Sequence, residues 1–365
     1  TRLPFWLGRL PRLRMLNATG NPLVGEQSTA LNKETGFFAQ PGALLSYLRT
    51  SEERVPQRHL LLTVLGHFMV GKTAVLNALA GKKLPKAEDR TVAVTTDVLE
   101  DKQSGISFSV RELPGQAQFY GGNRRFLSLR TSVFVVVVCL TDDKHRGEEE
   151  QFRLWLSLLS NHVQRDSSDE RLNVRTLLVA THLDSYLKRH PKASKEQLSA
   201  NWALPLAVQL QSEYPAVGVQ STGILLVDAT KQKEARKTVM SEVRSLARGL
   251  LHERTIPKFM NDVHESWQRG RAKRAPWLNF EATLQAVAAA DEKQAFADRS
   301  TAGFAVSVLA DFGDVIRIGR NIVICDPAWL SRVIAALVLP VEKPFEGIPE
   351  GKGKDCMDNG VASAE

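Results

Sequence analysis

Residues Gly66–Thr73 read Gly-His-Phe-Met-Val-Gly-Lys-Thr, which fits the pattern G-x-x-x-x-G-K-[ST]. The apolar residues Leu60–Leu65 before this stretch predict a strand, and Thr73–Ala80 predict a helix after it. A loop between a strand and a helix is the setting in which this pattern surrounds phosphate groups, whereas a chance Gly-Lys-Thr turn needs neither neighbour. The stretch therefore predicts a phosphate-binding loop.

Each residue type in this loop has a chemical reason to be there. Glycines at positions 66 and 71 let the backbone curl so that its N–H groups point at phosphate oxygens. Lys72 supplies positive charge to the β and γ phosphates, which makes it a candidate catalytic residue, and the Thr73 hydroxyl is a candidate Mg²⁺ ligand. The predicted phosphate-binding set is Gly66, Val70, Gly71, Lys72, Thr73 and Ala74.

Strand and helix patterns alternate downstream of the loop, which favours an α/β fold with a mostly parallel sheet flanked by helices. The predicted strands are Ile106–Leu113, Val133–Leu140, Arg175–Thr181 and Gly223–Val227. The predicted helices are Glu148–Val163, Ser185–Tyr214 and Lys231–Leu251.

A candidate base-recognition loop follows the strand that ends at Thr181. It reads Thr181-His182-Leu183-Asp184. The Asp184 carboxylate can accept two hydrogen bonds from guanine N1 and N2, a donor pair that adenine lacks. After the next strand, the backbone N–H of Ala229 is a candidate donor to guanine O6. Taken alone, an aspartate in a loop is more often a solvated turn or cap residue.

Two further loops are candidates for sensing the γ phosphate. Gly115 follows a strand and can present its N–H to the phosphate, and Gln116 can orient the attacking water. Thr91 is the candidate second Mg²⁺ ligand, with Thr95 and Thr96 as competitors.

Composition limits the classes to which this protein can belong. The 365 residues carry a formal charge of +8, with 43% hydrophobic and 24% charged residues, which excludes collagenous, coiled-coil and largely disordered proteins. Three cysteines cannot form a disulfide framework, so a reducing, cytoplasmic location is expected. The longest apolar run, Val133–Leu140, is too short for a membrane span. Because the sequence begins with Thr1, we expect it to be part of a longer chain.

The segments on either side of the α/β region have different patterns. Residues 13–23 fit one leucine-rich repeat, the expected end of a solenoid, although a chance Leu-rich helix is the alternative. Helices are predicted at Lys258–Gln268, Phe280–Ala290 and Glu292–Val308, and a strand pair is predicted around Gly319–Asn321. Asp326-Pro327 is predicted to open a last helix at Trp329–Leu337.

These features together resemble the Roco family, in which leucine-rich repeats precede a Ras-like GTPase domain (Roc) and a COR domain. Three of them carry the resemblance: the repeat ending at Leu23, the phosphate and Thr-His-Leu-Asp loops, and the stretch from Phe312 to Leu330. That stretch ends in Asp-Pro-Ala-Trp-Leu, which is similar to a COR signature. The resemblance implies a repeat end at 1–25, Roc at 58–252 and part of COR at 253–340. The sequence pattern predicts a linker at 26–57, and a Gly- and Lys-rich composition predicts a disordered tail at 341–365.

The resemblance implies a switch that binds GTP or GDP with Mg²⁺ and hydrolyses GTP slowly. It assigns phosphate and metal binding to Gly66, Gly71, Lys72 and Thr73, the switches to Thr91, Gly115 and Gln116, and base recognition to Thr181, His182 and Asp184. It also implies protein partners through the repeats and COR, including a possible homodimer. Glu112 departs from the family, which usually has the shorter Asp here, so its hold on Mg²⁺ is an open question.

Two other functions stay open at this stage. One is a scaffold in which a guanine nucleotide is bound but hardly turned over, and the other is an ATPase of the apoptotic or innate-immune switch class. No nucleic-acid partner is expected, because the basic excess between Lys231 and Arg274 carries no recognition-helix signature, and a solvated charged face is favoured. The eight histidines show no metal-ligand spacing, and His190, His252 and His264 are expected on solvated faces.

Overall fold

The structure is a computed structural model of the chain. It describes residues 3–10, 48, 52–84, 94–115, 126–127, 132–141, 147–165, 174–220, 222–289, 299–319 and 321–338. The predicted repeat fragment at residues 13–23, the two candidate site residues Thr91 and Gln116, and the predicted tail at residues 341–365 lie outside the described residues.

The described strands and helices alternate through most of the chain. The strands are Arg54–Pro56 (β1), His59–Leu65 (β2), Thr95–Asp101 (β3), Ile106–Glu112 (β4), Ser132–Cys139 (β5), Val174–Thr181 (β6), Leu225–Leu226 (β7), Thr255–Pro257 (β8), Trp277–Asn279 (β9), Ile316–Ile318 (β10) and Ile322–Ile324 (β11). The helices are Lys72–Ala80 (α1), Glu148–Arg165 (α2), Leu183–Arg189 (α3), Lys195–Leu198 (α4), Leu204–Glu213 (α5), Gln232–Leu251 (α6), Lys258–Arg269 (α7), Phe280–Ala289 (α8), Arg299–Asp311 (α9) and Pro327–Val338 (α10).

A six-stranded sheet with the order β3-β4-β2-β5-β6-β7 organises the first part of the molecule. Its strands pair in parallel, except that β3 runs antiparallel to β4. The central strand β5 is rich in valine, and each of its residues Val133–Val138 is 0% exposed. β-branched side chains buried on both faces are typical of a parallel sheet covered by helices, which confirms the predicted fold class.

Helices cover both faces of this sheet. On one face, α1 and α6 pack through Val75, Leu79, Val239 and Val243. On the other face, α2 and α5 pack through Phe152, Trp155, Leu206 and Leu210. This packing holds the carboxyl ends of the parallel strands, and the loops that follow them, at one edge of a rigid sheet.

The predicted single helix Ser185–Tyr214 is wrong in detail, since the structure divides it into α3, α4, a π-helical turn at Ser199–Ala203 and α5. Pro191 stands just after α3, and proline disfavours the helical conformation in the residue before it. A capping box then starts α4, because the Ser194 side chain accepts from the N–H of Gln197 and the Gln197 side chain accepts from the N–H of Ser194.

The C-terminal part builds its own small core. β9, β10 and β11 form a three-stranded sheet in the order β10-β11-β9, against which α7, α8 and α9 pack. The predicted helix Glu292–Val308 is observed from Arg299 to Asp311, and residues 290–298 lie outside the described residues. The predicted strand pair and the last helix are confirmed.

The two parts share apolar packing and a short ladder. Ile316, Ile324 and Leu330 belong to the same buried cluster as Leu65 and Leu113, and Trp329 packs against it. β1 pairs with β8, so the segments that enter and leave the sheet region are hydrogen-bonded to each other. No helix in the described part of the chain is both long enough and apolar enough to span a bilayer.

Candidate functional site

The candidate site lies where β2, β4, β5 and β6 end. The loop after β2 contains Gly66–Thr73, the loop after β4 contains Gly115, and the loop after β6 contains His182. Ligands of open α/β sheets bind at this edge, because several loops converge there. The structure therefore brings together sequence motifs that are more than a hundred residues apart.

Close packing of main chain requires glycine at two of these positions. A Cβ on Gly66, whose φ is +149°, would lie 2.3 Å from the carbonyl oxygen of Val137 in β5. A Cβ on Gly115 would lie 2.3 Å from the carbonyl carbon of His67 and 2.5 Å from the nitrogen of Phe68. The phosphate-loop backbone is thus confined between β5 and the loop after β4.

Lys72 lies in the first turn of α1 and is 5% exposed. Its Nζ donates a hydrogen bond to the His67 carbonyl oxygen at 2.7 Å, across the curl of the loop. Burial lowers the pKa of Lys72 from 10.5 to about 8, against the opposing attraction of Glu112. A buried ammonium with one carbonyl partner is suited to binding an anion.

Thr73 and Glu112 meet beside this lysine. The Thr73 hydroxyl donates to Oε1 of Glu112 at 2.6 Å, and Glu112 is 2% exposed. The extra methylene of glutamate, compared with aspartate, therefore does not keep the carboxylate away from the predicted metal ligand. Two oxygen ligands suited to Mg²⁺ are adjacent, although they come from different elements.

The Thr181 hydroxyl connects the candidate base loop to the phosphate loop. Thr181 Oγ1 lies 2.6 Å from the carbonyl oxygen of Val70 and 3.0 Å from that of Val138, and Thr181 is 1% exposed. It also lies 3.0 Å from Nδ1 of His182. Because this hydroxyl is directed into the protein, the geometry gives Thr181 a positioning role between the two loops.

Asp184 stands in the first turn of α3, after His182 in the left-handed conformation (φ +60°). Its side chain is 26% exposed, and its Oδ2 lies 3.8 Å from Nζ of Lys188. The Ser185 hydroxyl donates to the same oxygen at 3.3 Å. A pocket of about 490 Å³ between α3 and α6 is lined by Asp184, Lys188 and Lys231, among other residues.

Ala229 lies in a turn built by its neighbours. Asp228 Oδ1 accepts a hydrogen bond from the N–H of Thr230 at 2.9 Å, and the N–H of Val227 donates to the Ala180 carbonyl at 2.8 Å. The second bond ties this turn to β6, the strand that precedes the base loop. The remaining predicted phosphate-loop residues also lie at this edge, with Val70 fully buried and Ala74 in the first turn of α1.

The architecture is that of the Ras-like GTPase fold: mixed α/β, with a mostly parallel central sheet flanked by helices. The chain is similar to the structure of Methanosarcina barkeri Roco2 RocCORdC bound to GDP, with a TM-score of 0.56, 14% sequence identity and coverage of 79% of each chain. At this identity the similarity concerns the fold. Because the matched region covers 79% of this chain, the similarity extends beyond the six-stranded sheet into the C-terminal part.

A second solved structure, the bacterial selenocysteine-specific elongation factor EF-Sec, matches more weakly. Its TM-score is 0.37 at 13% identity, and the match covers 53% of this chain and 29% of that chain. No family model matches the sequence, and no curated protein matches it.

Proposed function

We propose that this protein binds guanine nucleotides and acts as a switch that hydrolyses GTP slowly to GDP and phosphate. The observation that carries the proposal is the close fit of the loop Gly66–Thr73 between β5 and Gly115, in a Ras-like fold. Main-chain amides that converge at the start of a helix form an anion-binding concavity.

The described residues fit a nucleotide with Mg²⁺. Lys72 would hold the β and γ phosphates after leaving the His67 carbonyl, and the N–H groups of Gly71, Thr73 and Ala74, at the start of α1, would donate to the same phosphates. Thr73 and Glu112 provide the oxygen donor set that Mg²⁺ prefers. Bound Mg²⁺ would neutralise negative charge on the phosphates.

Base selection is assigned to Asp184, His182 and Ala229, with Thr181 as the positioning residue. The carboxylate of Asp184 has long contacts to Lys188 and to the Ser185 hydroxyl, both to Oδ2, and we propose that it exchanges them for a purine that offers two donors. An unpaired carboxylate next to adenine would incur a desolvation penalty, which is the basis of the proposed guanine preference.

Hydrolysis is assigned to Gln116, as the residue that orients water, together with Lys72, which stabilises charge. Gly115 is proposed as the γ-phosphate sensor and Thr91 as the second metal ligand. Gln116 and Thr91 lie outside the described residues, so both roles rest on the sequence motifs.

A nucleotide-binding scaffold with negligible turnover is the second candidate. Glu112 favours it, because the resembled family usually has the shorter Asp at the position of the carboxylate that accepts from Thr73. Phosphate released per protein at saturating GTP distinguishes the two candidates. A Gln116→Ala chain that retained the parent rate would remove Gln116 from the mechanism.

The remaining assignments are part of the same proposal. They are a repeat end at 1–25, a linker at 26–57, a Roc domain at 58–252, part of COR at 253–340 and a tail at 341–365. We also propose a cytoplasmic location and protein partners, including a second copy of the chain, that bind through the repeats and COR.

The test is the shift in melting temperature with GTP, GDP and ATP at matched Mg²⁺. A ligand that binds only the folded chain stabilises it according to its affinity. We expect guanine nucleotides to stabilise and ATP not to, and Asp184→Ala to lose about tenfold or more in GDP affinity. Asp97→Ala, an exposed aspartate of β3, is the control. Equal stabilisation by ATP would favour the ATPase class instead.

A further inference from the structure

A buried cluster of three metal-ligating side chains lies away from the nucleotide site. His59 begins β2, His264 is on α7, and Asp314 follows α9. They are 4%, 7% and 7% exposed. One potential ligand atom from each residue lies within 4.8 Å of the other two. The prediction that His264 lies on a solvated face was wrong, because α7 turns this residue toward β2 and Phe312.

His59 has a nitrogen available for coordination. Its Nε2 lies 3.2 Å from the Ser109 hydroxyl, whereas its buried Nδ1 makes no hydrogen bond of ordinary geometry, although the Phe312 carbonyl is near enough to affect its titration.

His264 and Asp314 supply the other two potential ligands, and hydrogen bonds hold their side chains in place. His264 Nδ1 lies 2.6 Å from Asp314 Oδ2, and the Gln268 amide donates to the other carboxylate oxygen. The Phe312 ring lies 5.3 Å from the His59 ring and 5.2 Å from the His264 ring, centroid to centroid. Ligands that are oriented by outer hydrogen bonds and apolar packing are typical of metal sites.

We propose that His59, His264 and Asp314 bind a divalent transition-metal ion of the zinc class. Two imidazoles and one carboxylate suit Zn²⁺, whereas Mg²⁺ and Ca²⁺ prefer oxygen ligands. A cleft of about 860 Å³, lined by residues including His59, His264 and Gln268, provides an entry path and a place for a water ligand.

Coordination requires small movements of the three side chains. Bonds of about 2.0–2.2 Å in a tetrahedral site place ligand atoms roughly 3.3 Å apart. The 2.6 Å distance between His264 Nδ1 and Asp314 Oδ2 must therefore lengthen. Distances between ligand atoms that exceed this spacing must shorten. Side-chain rotation toward the cleft can do both without moving β2 or α7.

The positive charge of Arg111 disfavours the binding of a cation at this cluster. It is buried, donates to the carbonyl oxygens of Phe126 and Gly313, and interacts electrostatically with Asp314. Because Asp314 already shares its negative charge with this guanidinium, the affinity is lower than for a site without a neighbouring cation. Free Zn²⁺ is therefore used in excess in the test.

The position of the cluster gives metal binding a structural consequence. His59 belongs to the six-stranded sheet, whereas His264 and Asp314 belong to the C-terminal part. One ion bound by all three would link the two parts, and the whole chain would melt at a higher temperature. This effect is independent of nucleotide binding.

The test uses the full chain, freed of metal with EDTA, saturated with GDP and Mg²⁺, and titrated with ZnCl₂ or CoCl₂. We expect one ion per chain, visible d–d absorption bands of tetrahedral cobalt, and a higher melting temperature with zinc. His59→Gln and His264→Gln should each weaken binding at least tenfold. His252→Gln, at an exposed histidine, should bind as the parent does.

Two results would overturn the proposal. One is a parent chain that shows no tetrahedral cobalt spectrum, a readout that needs no variant. The other is a folded His59→Gln or His264→Gln chain that binds cobalt as tightly as the parent. If both variants fail to fold, Asp314→Asn, which keeps the size of the side chain and one accepting oxygen, must lose the cobalt bands.

Discussion

At the scale of single residues, Gly66 shows why glycine is required in the phosphate loop. An added Cβ would be 2.3 Å from the Val137 carbonyl oxygen, and that atom belongs to a central strand that cannot move away. The conformation itself, with φ at +149°, strains any residue that has a side chain. Both effects come from backbone geometry and do not depend on a ligand.

We therefore predict that Gly66→Ala lowers the free energy of unfolding by about 1–3 kcal/mol and abolishes stabilisation by GDP. Gly249→Ala is the matched control, because no atom lies within 4 Å of the added methyl group and its site is in α6. The control should gain about 0.5–1 kcal/mol, as alanine favours a helix. Urea unfolding measures both; equal effects at the two sites would contradict the prediction.

Residue types could be predicted at the site, but not the bonds they make. Spacing alone indicated Lys72 and Thr73, because the phosphate pattern is local and lies within one loop. It did not indicate that the Thr181 hydroxyl would hold the Val70 carbonyl, since this bond joins residues 111 positions apart. Long-range side-chain contacts depend on how strands align, which a local pattern does not contain.

At the scale of elements, β3 is one of the strands that the sequence pattern did not predict, as are the short strands β1, β8 and β9. Its residues read Thr-Thr-Asp-Val-Leu-Glu-Asp, and most of them are exposed or half-buried. An edge strand with one partner buries few side chains, so it lacks the apolar run that marked β5. Its strand conformation is instead stabilised by antiparallel pairing with β4, which runs from Thr95↔Glu112 to Asp101↔Ile106.

A bidentate ion pair between Arg244 and Asp101 connects the end of β3 to α6. Arg244 donates to both carboxylate oxygens of Asp101, at 2.7 and 2.9 Å, and the Asp101 side chain is 7% exposed. The hydrogen bond from Arg244 lowers the pKa of Asp101 from 3.8 to about 2. A carboxyl whose pKa is lower in the folded chain stabilises it above the unfolded value and loses that contribution as pH falls.

We predict that Arg244→Ala lowers the free energy of unfolding by about 1–2 kcal/mol at neutral pH, allowing for solvent screening. The difference from the parent should shrink as pH falls from about 4 toward 2, because Asp101 then becomes protonated in the parent too. Arg248→Ala, an exposed arginine of the same helix, is the control. A pH-independent difference in urea unfolding would rule out this electrostatic origin.

At the scale of the whole molecule, hydrogen bonds as well as apolar packing join the two parts. The N–H of Val94, just before β3, donates to the Ser331 hydroxyl of α10 at 2.6 Å, and both residues are buried. Arg271 donates to the Thr96 hydroxyl nearby. The C-terminal part therefore contacts the chain directly after the segment that contains Thr91, the candidate switch residue.

We predict that Ser331→Ala lowers the free energy of unfolding by about 1–3 kcal/mol, because it leaves the buried N–H of Val94 without a partner. Ser241→Ala, at an exposed serine in α6, should be neutral or slightly stabilising, since alanine has the higher helix propensity. Urea unfolding of both variants is the measurement. An unchanged Ser331→Ala chain would mean that this N–H finds another partner.

The arrangement of the two parts could not be predicted from local patterns. Alternation of strands and helices predicted the sheet, and Asp326-Pro327 predicted the start of the last helix, since each signal lies within a few residues. The meeting of His59 with His264 and Asp314 had no such signal, because it joins positions 205 and more apart. They meet only in the folded chain, where the His59 and His264 rings lie 4.0 Å apart and Asp314 bonds to His264.

The apolar cluster shared by both parts has a consequence for any attempt to divide the chain. The sequence pattern places a domain boundary near residue 252. Ile316, Ile324 and Leu330, which follow this boundary, nevertheless pack with Leu65 and Leu113, which precede it. A cut at this boundary would expose apolar surface on each of the two fragments. The sheet and the C-terminal helices should therefore be expressed and purified as one piece.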